Sequence, residues 1–225
     1  MKRAAVTGAT GDIGGAIAAA LAVEGYEVFA LGRGADKLAQ LAARIPVRPL
    51  ETDLESPEGP QKAASALGAR LDLLVHAAGT YEQATFADGD EDALARLWSI
   101  HVDAPWRLTR ALLPALIAAQ GEVAFVNSSV RPALGLGPYA AAKAAQRALA
   151  DGLRAEVNVH RVRVLSLFPG RTAGELQERL FQAEEREYVA ERLLQPADVA
   201  RALLGALALA RTAECTDLHL RPLAP

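Results

Sequence analysis

The strongest constraint on the fold lies at the amino terminus. Arg3 to Thr7 is a short, largely apolar run, Gly8-Ala9-Thr10-Gly11-Asp12-Ile13-Gly14 follows it, and Ala16 to Val23 carries a helical pattern. Strand, glycine turn, helix is the setting in which spaced glycines acquire meaning. Glycines let the chain turn sharply and bring backbone close to a pyrophosphate. The following helix offers unpaired N–H groups and the positive end of its dipole. The bland alternative is an ordinary strand-to-helix turn. Gly8, Thr10, Gly11, Asp12, Ile13 and Gly14 are therefore candidates for contact with a dinucleotide.

The same alternation continues along the chain. Tyr26–Leu31, Pro46–Leu50, Leu71–His76, Glu122–Val126, Val162–Phe168 and Thr216–Leu220 read as further strands with helical patterns between them. Leu71–His76 is nearly all apolar, as a parallel strand buried on both faces should be. Asp92–Ala119 reads as a long helix that Pro105 and Pro114 should kink or break. Ala173–Leu194 is charged and amphipathic, with Leu176, Leu180 and Phe181 at helical spacing. Pro196–Ala210 reads as the last helix. The pattern predicts an α/β fold: one Rossmann-like domain over residues 1–225, a doubly wound parallel sheet of about seven strands with helices on both faces.

Composition removes several classes of function. The net charge is −3 with both signs dispersed, so no basic face offers itself to nucleic acid or to a membrane surface. A single cysteine, Cys215, allows no intrachain disulfide and no cysteine-built metal site. His76, His101, His160 and His219 are scattered without ligand spacing, and no metal is expected. No apolar stretch is long enough for a signal peptide or a span. A cytoplasmic protein with a small-molecule substrate is the expectation.

Chemistry-bearing residues fall at strand ends. The second strand ends in Leu31-Gly32-Arg33, with no acid to hold a ribose 2′-hydroxyl. An arginine fork suits a 2′-phosphate and favours NADP over NAD; a solvated loop arginine is the other reading. Asp36, just beyond, reads as a helix cap. Asp53, followed by Leu54, could accept a hydrogen bond from an adenine amino group or serve a turn. Ala77-Ala78-Gly79 after the fourth strand would let a flat ligand lie close. Ser128-Ser129 follows the fifth strand. Tyr139 and Lys143 stand at i and i+4 on the next helix and share a face. An ammonium near a phenol favours the phenolate. A neighbouring serine hydroxyl could orient a substrate oxygen.

These residues, taken in order, resemble the short-chain dehydrogenase/reductase family over essentially the whole chain. The resemblance rests on the glycine turn at 7–14, Asp53, Ala77-Ala78-Gly79, Ser128, Tyr139-x-x-x-Lys143 and Pro169-Gly170. It implies an NAD(P)-dependent oxidoreductase with Tyr139 as general acid/base and Lys143 lowering its pKa and holding the nicotinamide ribose. Ser128 would hold the substrate oxygen, and Pro169, Gly170 and Thr172 would contact the carboxamide. It also implies a homodimer or homotetramer paired through the helices at 92–119 and 139–157. Leu134, Leu136, Leu176, Leu180 and Phe181 would line an apolar substrate pocket.

Three departures accompany the likeness. The spacing Thr-Gly-x-x-Gly-x-x-Gly belongs to longer, two-part members and puts Asp12 where short members carry glycine. His101 replaces the helix asparagine that serves a proton relay to the lysine. The loop between Ser128 and Tyr139 is shorter than usual. Two other functions therefore stand beside the carbonyl reductase: an NADP(H)-binding sensor or scaffold without turnover, and an epimerase-like member suggested only by the glycine spacing.

Overall fold

The structure is a computed structural model that describes residues 1–223; residues 224–225, the end of the expected domain, lie outside the described residues. In chain order the elements begin with β1 (Arg3–Thr7), α1 (Asp12–Val23), β2 (Glu27–Gly32), α2 (Ala35–Arg44), β3 (Val47–Glu51), α3 (Gly59–Leu67) and β4 (Leu73–His76). They continue with α4 (Ala93–Trp98), α5 (Ala104–Ala119), β5 (Glu122–Val126), α6 (Gly137–Val157), β6 (Arg163–Pro169), α7 (Glu175–Ala183), α8 (Pro196–Leu207) and β7 (Asp217–Leu220).

All seven strands join one sheet in the order β3-β2-β1-β4-β5-β6-β7, and every pairing is parallel. Side chains alternate across each strand and feed two cores. Ala5, Phe29, Leu74 and Phe125 meet Leu108, Leu112 and Leu116 of α5 and Ala150 of α6 on one face. Val6, Val28, Val75 and Leu167 meet Ile17 and Leu21 of α1, Leu38 of α2 and Leu203 of α8 on the other. With both faces covered, β4 is buried along its whole length. The edge strand β3 is largely exposed and carries Pro49, whose missing N–H is tolerated at an edge. The strand order reverses between β1 and β4, and such a switch point opens a crevice at the carboxyl ends of the strands.

Three local readings are settled by the structure. The 92–119 stretch is helical from Ala93 to Ala119, and a π-helical turn at Ser99–Asp103, ahead of both prolines, interrupts its α-helical run. Pro105 lies in the first turn of α5, where its missing N–H leaves no bond unmade, and α5 runs through Pro114 to Ala119. The π turn carries His101, 1% exposed, into the protein; such turns often mark functional sites. Second, in the amphipathic 173–194 stretch the helical spacing of Leu176, Leu180 and Phe181 falls in the α-helix Glu175–Ala183, and Ala190–Arg192 forms a 3-10 turn. Glu185, in a run of like charges, has φ of 53° just past the end of that α-helix. Third, Gly34 rather than Asp36 is the N-cap of α2, and Asp36 sits in the first turn. No helix among the described residues is long and apolar enough to cross a membrane.

Candidate active site

The floor of the crevice is built by close backbone approach. Gly8 has φ of +63°, and a Cβ there would sit 2.7 Å from the Ala78 Cα. A Cβ on Gly14 would come within 2.2 Å of the Gly8 carbonyl oxygen, so α1 packs directly on the turn. The Thr7 hydroxyl accepts the N–H groups of Ala77 and Ala78, both at 3.0 Å, and fastens the tips of β1 and β4 together. Above this floor lies a cavity of about 520 Å³ lined by Gly8, Thr10, Gly11, Arg33, Asp53, Leu54, Ala78 and Gly79. No side chain caps α1, whose N-cap is Gly11. A cradle without side chains beside an uncapped helix start fits an extended anionic ligand, as a dinucleotide is.

Charged groups line the cavity around Arg33. Arg33 projects from the end of β2 and its Nη1 lies 3.2 Å from the Glu55 carboxylate. Asp53 accepts the Glu55 backbone N–H at 3.1 Å and stabilises that turn. Glu55 was not among the residues singled out in the sequence, although it lines the cavity beside Arg33; its place two residues beyond Asp53 was the only signal. Asp12, Ile13 and Gly14 do not line the cavity. The Asp12 carboxylate turns away and accepts the backbone N–H of Glu175 at 3.1 Å.

The catalytic candidates converge from three elements. Ser128 follows β5, and its backbone N–H is held by the Asn127 side chain at 2.8 Å. Its Oγ accepts the Val130 N–H at 3.1 Å, which fixes the start of the short loop. Tyr139 is in the first turn of α6. Its ring meets Tyr81 edge-on at 5.0 Å and His101 edge-on at 5.6 Å between centroids. Lys143 is one turn further along α6 and 6% exposed. Its Nζ donates to the Val126 carbonyl and to Gln146 Oε1, both at 3.1 Å, and lies 5.9 Å from the Tyr139 ring centroid.

This geometry changes the expected electrostatics. Burial pushes the Tyr139 phenol up to about 12, with the neighbouring Ser128 hydroxyl acting in the opposite direction. In the protein alone, burial outweighs the expected pull of Lys143 on the phenol, and the ammonium bonds Val126 and Gln146. Burial also brings Lys143 down to about 7. His101 falls to about 3, first by burial and then by the charge of Lys143. Its Nε2 meets the Thr80 carbonyl at 2.8 Å. A carbonyl only accepts, so the proton is on Nε2 and the Nδ1 lone pair is left buried without a partner. No direct hydrogen bond joins His101 to Lys143 among the described residues.

Pro169 and Gly170 lie at the end of β6, beside the serine. The Ser129 N–H donates to the Pro169 carbonyl at 3.1 Å. Thr172 Oγ1 donates to the Gly170 carbonyl at 3.0 Å. None of Pro169, Gly170 and Thr172 lines the cavity above the glycines. Phe181 is 6% exposed, contacts the guanidinium groups of Arg171 and Arg186, and lines a separate cavity with Val189 and Leu193 rather than the one above the glycines. Leu134 is 91% exposed and Leu176 39% exposed.

Known proteins carry the same plan. Residues 2–185 match the short chain dehydrogenase family model. A short-chain type dehydrogenase/reductase of Sinorhizobium fredii is 32% identical over 97% of this chain and 90% of its own. The NADPH-dependent 1-acyldihydroxyacetone phosphate reductase of Saccharomyces cerevisiae is 32% identical over 79% of this chain and 63% of its own. Among solved structures, an alcohol dehydrogenase of the archaeon Thermococcus sibiricus, complexed with 5-hydroxy-NADP, superposes with a TM-score of 0.88. It is 25% identical and is covered over 100% of this chain and 98% of its own. Matched in sequence over most of its length and in fold over all of it, the chain belongs to the short-chain dehydrogenase/reductase family.

Proposed function

We propose that this protein is an NADP(H)-dependent oxidoreductase that interconverts a carbonyl and a secondary alcohol on a small or medium, apolar substrate. The observation that carries the reading is the half-buried Tyr139, its phenol held protonated, beside Ser128 and within a turn of Lys143. NADP(H), when bound, supplies or takes the hydride. The glycine floor and the start of α1 bind its pyrophosphate, and Arg33 takes the 2′-phosphate after parting from Glu55. Ser128 orients the carbonyl oxygen. Tyr139 Oη donates its proton to that oxygen as negative charge develops, and takes it back in the oxidative direction. Lys143 supplies positive charge behind the phenol. Pro169, Gly170 and Thr172 bound the nicotinamide end.

The NADP(H) preference is supported by Arg33 and by the cofactors named for the yeast and archaeal relatives. Pairing of two copies is supported by Trp98 and Trp106, 47% and 49% exposed on α4 and α5. The flanking groove of Trp106, Leu113, Leu149 and Leu153 supports it too. The lone thiol of Cys215 suits a reducing, cytoplasmic setting.

The test is turnover of a carbonyl and alcohol panel with NADPH and with NADH. No turnover with either nicotinamide would end this reading. The Tyr139 phenol, raised by burial rather than lowered, favours one second reading, a sensor that binds NADPH without reaction. Its signature is NADPH binding that Tyr139→Phe leaves unchanged in a protein with no turnover.

A further inference from the structure

Gln146 is fully buried, at 0% exposure, on the face of α6 that meets the sheet. Its Oε1 accepts a hydrogen bond from Lys143 Nζ at 3.1 Å. Its Nε2 is buried and has no partner. A buried amide donor left unpaired is unfavourable, and an apolar side chain of the same shape would avoid that. The bonded part of the amide is its oxygen.

The need for that oxygen follows from what surrounds the lysine. Among the described residues no Asp or Glu lies within ion-pair distance of Lys143. The titratable groups facing it are Tyr139, one turn back on α6, and His101, from the π turn, whose protonation the lysine charge opposes. The β5 side brings only the Val126 carbonyl to Nζ, and Asn127 bonds the Lys143 backbone carbonyl instead. Apart from Val126, Gln146 is the only acceptor the ammonium has among the described residues.

We propose that Gln146 is a positioning residue for Lys143: its amide oxygen fixes the direction of the ammonium and stabilises its charge behind Tyr139. This rests on the catalytic reading of Tyr139 and Lys143 given above. A hydrogen bond accepted from the charged form favours that form. Burial alone has already brought Lys143 to about 7, so loss of one of two acceptors changes its charge within the working pH range. With less ammonium behind it, the phenol ionises at higher pH, and the acid limb of alcohol oxidation moves upward. The third N–H of the ammonium stays free for a ligand hydroxyl.

The experiment is an NMR titration of protein labelled with 13C-lysine. The chain has only four lysines, Lys2, Lys37, Lys62 and Lys143, and the Lys143 Cε signal is assigned by its loss in Lys143→Met. Gln146→Met keeps the shape and removes the acceptor; its Lys143 midpoint should fall by about one pH unit, roughly tenfold in proton affinity. Gln146→Glu keeps an acceptor and adds charge, and its midpoint should rise. In each variant the acid limb of the oxidation pH profile is read alongside. An unchanged Lys143 midpoint in Gln146→Met overturns the proposal. If that variant does not fold, an unchanged midpoint in Gln146→Glu overturns it equally. The titration needs no turnover, so a protein with the expected shifts but no activity would count against the oxidoreductase reading and not against the Gln146–Lys143 contact.

Discussion

The Asp12 carboxylate is bonded to the backbone N–H of Glu175 at 3.1 Å, across 163 residues of sequence. Asp12 is the first residue of α1 and Glu175 the first of α7. One carboxylate thus lies between two helix starts, each the positive end of a dipole. The adjoining Gly174 N–H donates to the Tyr188 hydroxyl at 3.0 Å, so the entry to α7 is held from both sides.

Asp12→Ala should destabilise the protein by about 1–2 kcal/mol, the loss of a cap and of its dipole interaction. Urea unfolding measures the change, and amide exchange should localise it to α7. Gly174→Ala should loosen the same helix, because a Cβ there would stand 2.0 Å from Asp12 Oδ2. Equal exchange rates across α7 in Asp12→Ala and the parent would remove Asp12 from this role.

Glu55 holds the arginine that a 2′-phosphate would need. Glu55→Gln should raise kcat/KM for NADPH by about 3–10-fold and leave NADH within about twofold, since an exposed pair is worth ~1 kcal/mol or less and like-charge repulsion also disappears. Arg33→Ala should lower NADPH use by about 10–100-fold and NADH use far less. Added salt should narrow both differences. Equal losses for the two nicotinamides in Arg33→Ala would show that Arg33 does not read the phosphate.

Tyr139→Phe should lower kcat by about 100- to 10,000-fold while NADPH binding is unchanged, the range for removing a general acid. A phenol raised to about 12 is protonated throughout the neutral range. Carbonyl reduction should therefore keep its proton donor from pH 6 to 8 and vary there only with the charge of Lys143, brought to about 7 by burial, whereas alcohol oxidation should keep rising as alkali generates phenolate. Steady-state profiles in both directions check the asymmetry.

His76 and His101 predict the acid limit of stability. Burial lowers both to about 3. His76 is stacked on Phe125 at 4.7 Å and its Nε2 bonds Thr109 Oγ1 at 2.8 Å. Below 6.5 the unfolded chain binds protons that the folded protein refuses, so stability falls as pH drops from 6.5 toward 3. Each unit of that window contributes up to roughly 1.4 kcal/mol per histidine. His76→Asn should flatten the fall in urea midpoint between pH 6.5 and 4; an unaltered slope would assign the acid loss elsewhere.

Gly79 keeps room for His101. A Cβ at position 79 would lie 2.5 Å from His101 Cε1. Gly79→Ala should destabilise by about 1–3 kcal/mol through overpacking, and His101→Asn in the same chain should recover most of that. A double-mutant cycle measures the coupling.

The strands and the parallel, doubly wound class of the sheet were legible because each parallel strand is an apolar run between turn residues. The bounds of β1 and β5 were read directly, and the others differ by one or two residues. Tyr139 and Lys143 were legible as a pair because helical spacing fixes their shared face. The direction of the lysine was not, since Gln146 competes for Nζ and nothing in a Tyr-x-x-x-Lys spacing reveals a competitor one turn on. Glu55 was missed for a related reason: its meaning comes from Arg33, across a strand order that only the folded sheet supplies. The π turn escaped because prolines are conspicuous in sequence, whereas an extra residue in a helical turn leaves no residue-type signature.

The clamp of Thr7 on Ala77 and Ala78 also orders events in time. The crevice has no floor until β4 has docked beside β1, although β2 and β3 with their helices are made in between. Closing a loop of that length must precede the contacts that reward it, and such sheets form slowly. A chain halted before β4 would carry the whole glycine turn and bind nothing with it. Ligand capture during refolding would therefore report the docking of β4 on β1, not the formation of the turn that gives the sequence its signature.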